Sequence, residues 1–331
     1  MMSPELLSQC RDFLERCGYR LPGPQAITTN EVLRALTQIV ARASDEHVLA
    51  EAARYLSFMG PAAEGAIQEL VLLIARNPIT PTAEEVELHL IRGGPWVCGR
   101  AALAAMEAIQ SISPENGVKA LANLCLHTDP QVRFRALRAL QTIGKPAPCI
   151  IPFLLNLLHD PVEAIRRSAV LALWSYSELP HESRDTILLL VQDPDPITRI
   201  RADYLLASRF SGYQRKLPDS IEDLARLLLN AVDVQDIDVI AEIIRTIPMI
   251  GADAQDLAKA VISYIDCKPS APIAAIAAIV AVLREIISHY SWLKKDVMSA
   301  LQKIARVGNQ TAWFVTNNLT FELSRLKLIR D

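Results

Sequence analysis

The chain has 331 residues, 51% of them hydrophobic but only 5% aromatic, so its apolar content is mainly Ala, Leu, Ile and Val. Glycine is scarce at 12 residues, and much of the composition favours helix. A net charge of −3 and a pI near 6.1 exclude a global basic field of the kind that draws proteins to nucleic acid or anionic membranes.

In chain order, residues 3–17 read as a capping helix, followed by the loop YRLPGPQAITTN, so that 1–29 form a terminal cap. Early charges and the lack of an apolar core in this segment argue against a signal peptide. Residues 30–113 read as two helical hairpins, with Asp45 at the first turn and an insert over 78–95 in the second. Residues 114–210 contain three well-formed hairpins. Residues 218–331 read as degenerate pairs, as expected of units that end a stack. The longest apolar run, Ile273 to Leu283, is too short to span a bilayer.

The three central hairpins repeat with a period of 33. QVRFRALRAL (131–140), AIRRSAVLAL (164–173) and ITRIRADYLL (197–206) align without gaps, bringing Arg133, Arg166 and Arg199 together, and likewise Ala136, Ala169 and Ala202. Asp-Pro turns precede each segment. Such an aspartate can accept the unpaired backbone N–H groups of the following helix, and proline at its first position loses no hydrogen bond. Val132, Ala136, Leu140 and Ile143 give the second helix one apolar face. The six cysteines are scattered with no CxxC pair, which predicts reduced, mostly buried thiols and a cytoplasmic setting.

Asp-Pro followed by V-R-x-x-A-x-x-A-L-x-x-I-G, best seen in DPQVRFRALRALQTIG (129–144), resembles the HEAT-repeat family. The resemblance implies an all-α fold. The chain is then a single domain, a right-handed α-solenoid of about eight hairpins. It further implies an inter-repeat ladder of Asp129, Arg133, Asp160, Arg166, Asp193 and Arg199, and a concave face lined by the second helices. The register on that face groups Arg135, Arg138, Arg167, Leu171, Trp174, Arg201 and Tyr204 as a partner-binding patch, since Trp, Tyr and Arg are enriched in binding hot spots.

No HExxH, nucleophile-elbow, P-loop or dinucleotide-binding pattern occurs, so no catalytic residue, metal site or cofactor is assigned. His127 and His159 read as helix-end residues whose positive charge would complement the helix dipole. Glu84, Glu85 and Glu87, in the 78–95 insert, read as solvated surface. The expected function is a non-catalytic scaffold for a protein partner, with an acidic or amphipathic segment as the expected ligand; nucleic acid and membrane are not expected partners. Two alternatives rest on family resemblance alone: a protein like the phycobilin lyases, whose HEAT-like repeats are of the same type, and a nucleic-acid binder like the HEAT-like alkylpurine glycosylases.

Overall fold

A computed structural model describes residues 4–19, 28–76, 99–143, 148–214, 220–267 and 273–307. The 78–95 insert, with Glu84, Glu85 and Glu87, lies outside these residues, as does most of the last expected hairpin.

The described residues are helical and carry no strand. Helix α1 (Pro4–Arg16) precedes the hairpin α2 (Thr29–Arg42) and α3 (Glu46–Met59). Then come α4 (Ile67–Arg76) with α5 (Arg100–Ile112), α6 (Pro114–Leu124) with α7 (Pro130–Ile143), and α8 (Ile151–Leu157) with α9 (Glu163–Trp174). The chain continues with α10 (Ser183–Leu189) and α11 (Pro196–Arg209), α12 (Ser220–Val234) and α13 (Ile237–Thr246), α14 (Ala254–Cys267) and α15 (Ile273–His289), and then α16 (Lys294–Val307). The described residues form two compact units, one up to Ala172 and one from Leu173 onward.

Local chemistry explains where helices start. Thr28 and Glu31 form a reciprocal capping box at α2. Asp45, Asp195 and Asp236 each accept a backbone N–H three residues on, at the starts of α3, α11 and α13.

The core is built from small side chains. Ala105, Ala136, Ala169 and Ala202 are fully buried, which lets neighbouring helices approach closely. At Gly117 on α6 the approach is tightest: a Cβ there would lie 2.0 Å from Ile109 Cγ2 of α5.

The stretch Glu46–Arg76 is long and apolar enough by composition to cross a membrane, and half of its most apolar window is buried. It is two helices. Gly60, at φ 56°, ends α3 and begins a 3-10 turn over Gly60–Ala66, and both α3 and α4 pack on α5.

The cysteine expectation holds in part. Cys10 and Cys125 are buried, and burial pushes each thiol up to about 12. Cys149 and Cys267 are exposed instead, because the first precedes the short helix α8 and the second closes α14.

Candidate binding surface

The turns between paired helices carry the ladder residues. In the unit up to Ala172, Arg133 donates from Nε to Asp160 Oδ2 at 2.6 Å and from Nη2 to Oδ1 at 3.0 Å, a bidentate pair between consecutive hairpins. Its Nη1 folds back onto the carbonyls of His127 and Thr128, both at 2.9 Å. The pair raises the arginine's pKa, mainly through the Asp160 hydrogen bonds. Arg166 repeats the fold-back onto the Asp160 and Pro161 carbonyls, and Arg199 onto those of Asp193 and Pro194.

Asp129 is not a rung of this ladder. It accepts from its own helix, at the Gln131 N–H, and no described cation pairs with it. The register explains why. Asp160 and Asp193 each accept the N–H two residues on, from Val162 and Asp195. The residue that does this in the preceding turn is His127, whose Nδ1 accepts from the Asp129 N–H at 3.0 Å. His127 thus takes the accepting place that an aspartate holds in the next two turns.

The seven residues expected to bind a partner fall into different environments. Arg201 is fully buried. It donates to Thr246 Oγ1 at 2.9 Å, to Glu242 Oε2 at 2.9 Å and to the Glu242 carbonyl at 2.5 Å. Tyr204 is buried too, its hydroxyl bound to Asp253. Neither is on a surface. The α11 face that carries them packs onto the hairpin that follows, so a register that predicts exposure on an isolated helix fails here.

Arg135 is half-buried and donates to the Ala75 carbonyl at 2.6 Å, closing the C-terminus of α4. Trp174 is half-buried under the Arg209 guanidinium, 4.7 Å from the ring centroid. Arg209 also donates to the Trp174 and Tyr176 carbonyls, both at 2.7 Å. Arg138, Arg167 and Leu171 remain half-exposed on α7 and α9; Arg138 donates to Gln141 and Arg167 pairs with Glu163.

Two further residues stand out on the second helices. RYLSFMG (54–60), EAIQSI (107–112) and RALQTIG (138–144) share one register, which places Arg54, Glu107, Arg138 and Leu171 at one position in successive hairpins. Arg54 and Glu107 are exposed, and α3, α5 and α7 pack side by side in that order. The next position holds ties between hairpins instead: Gln110 donates to the Ile143 carbonyl at 3.0 Å and Gln141 to that of Ser168 at 2.7 Å. The signal for Arg54 and Glu107 was present in the sequence, hidden because these hairpins lack Asp-Pro.

Residues 98–174 match the family model of HEAT repeats. Among solved structures, an engineered protein from a structural genomics consortium is similar over 98% of this chain and 96% of its own, at 20% identity and a TM-score of 0.31. The E. coli protein YIBA is similar over 98% of each chain, at 12% identity and a TM-score of 0.36. A structure of Kap95p with RanGDP matches over 97% of this chain and 49% of the other, at 12% identity and a TM-score of 0.38. No curated protein matches by sequence. The matched segment 98–174, with its paired helices and fully buried alanines, is thus of HEAT-repeat type.

Proposed function

We propose that the chain is a non-catalytic scaffold that binds a protein partner along its second helices, in the cytoplasm. The observation that supports this reading is the contrast between two rows of equivalent positions. Ala105, Ala136 and Ala169 are identical and fully buried. Arg54, Glu107, Arg138 and Leu171 face outward and differ in charge and polarity from one hairpin to the next. Uniform inner positions build the stack, and varied outer positions give each stretch of surface its own chemistry, as in other repeat proteins. The cytoplasmic setting fits the described cysteines, which are all free thiols.

The test is affinity capture with the full chain and with a variant carrying Arg54→Glu, Arg138→Glu and Leu171→Glu. A partner retained by the parent and lost by the variant, with unchanged circular dichroism, is the expected result. Equal retention refutes the surface. A new absorbance band on incubation with bilin and apo-phycobiliprotein, or DNA binding that weakens steeply with salt, would replace the scaffold reading by one of its two alternatives.

A further inference from the structure

The proposed row on the second helices does not include the chain's most exposed described tryptophan. Trp292 lies in the 3-10 turn Ser291–Leu293 between α15 and α16, and 56% of it is open to solvent. Leu293 beside it is buried, so the turn is anchored while the indole stands out. Tyr290 holds the same turn: its hydroxyl donates to the Ile247 carbonyl at 2.7 Å and accepts the Gly251 N–H at 2.9 Å. The Tyr290 and Trp292 rings meet edge-on with centroids 6.4 Å apart. This is a fixed aromatic plate, which loses little freedom on binding.

Two lysines flank it. Lys294 and Lys295 occupy the first turn of α16, where the helix dipole disfavours cations. Among the described residues neither ammonium has a carboxylate partner. Trp292, Lys294, Lys295 and Met298, with Ser291 and Ser299, line a shallow recess of about 530 Å³. Asp296, the acidic residue of that turn, does not line it. An exposed indole, a methionine and two lysine ammonium groups in one recess make a surface complementary to apolar carbon and negative charge together.

We propose that this recess docks an acidic segment of a protein partner, an apolar side chain resting on Trp292 and Met298 while carboxylates meet Lys294 and Lys295. The proposal deepens the scaffold reading and rests on it. It adds a second contact outside the unit that carries the Arg54–Leu171 row.

The experiment selects random dodecamer peptides on the immobilised full-length chain and titrates those retained by fluorescence anisotropy. Retained peptides should place acidic residues beside an apolar one. Trp292→Ala should weaken them roughly thirtyfold, as loss of a hot-spot aromatic does. Trp292→Phe should keep most of the affinity. The pair Lys294→Gln and Lys295→Gln should weaken binding and flatten its salt dependence. These side chains are on the surface, and circular dichroism confirms that each variant is folded. Acidic peptides that bind all variants alike would overturn this site and leave the scaffold reading standing. Retained peptides that are neutral or basic would also overturn it. Tighter, Trp292-dependent binding to phosphatidylserine vesicles than to peptides would make the recess a lipid site and overturn it. Retention of no peptide would count against the site and the scaffold reading together.

Discussion

Replacing Arg201 with methionine removes a guanidinium from full burial while keeping much of its apolar volume. The side chain makes at least three hydrogen bonds, to Thr246, the Glu242 carboxylate and the Glu242 carbonyl. Breaking a buried ion pair from one side costs about 3–5 kcal/mol when the other charge is stranded. Glu242 is not fully stranded, because Arg245 also pairs with it and its side chain is 12% exposed. That lowers the expected loss to roughly 2–4 kcal/mol. Glu242→Met takes a carboxylate away from the buried Arg201 guanidinium, and its cost should be comparable. The double variant replaces the pair by apolar volume, so it should be more stable than the sum of the two losses by about 2 kcal/mol. Urea denaturation followed by circular dichroism gives the free energies. Hydrogen exchange of peptides from α11 and α13 localises the loss. A single-variant cost below about 1 kcal/mol, or strictly additive single losses, would refute the reading of Arg201 as an interior residue whose charge is held by Glu242.

Asp160→Asn keeps the acceptor for the Val162 N–H but removes the charge facing Arg133, so a loss of about 2–3 kcal/mol is expected in denaturant titration. Asp129→Asn should cost less, since its described bond is to a backbone N–H. Gly117→Ala should destabilise by about 1–3 kcal/mol, because the new methyl collides with Ile109 and the cost outweighs alanine's higher helix propensity. A raised melting temperature would show that α5 and α6 are not in close contact at that point. In the folded protein at pH 8, iodoacetamide should label Cys149 and Cys267 and spare Cys10 and Cys125, whose thiols are held protonated by burial. Denaturation should abolish the difference, and mass spectrometry of tryptic peptides reads both states.

The sequence determined the class of fold and the repeat. Helix-forming composition, a one-faced apolar period and Asp-Pro turns are local properties, and local hydrogen bonds read them directly. The arginine at each turn was equally legible, because its fold-back carbonyls lie five and six residues away in the same turn. What lay further off was not legible. Asp129 and Asp160 both precede proline, yet only Asp160 meets Arg133, since the bond crosses between hairpins and depends on how one turn stacks over the next. Arg201 and Tyr204 occupy helix positions that look outward by register, and only the packing of the hairpin that follows encloses them. Trp292 carried no periodic signal, because it sits in a short turn, and its exposure depends on Leu293 and Tyr290 being anchored beneath it. Local chemistry thus set which segments are helices and where they turn. Which side chains remain for a partner was decided only when the helices packed, because exposure is what the neighbouring hairpins leave uncovered.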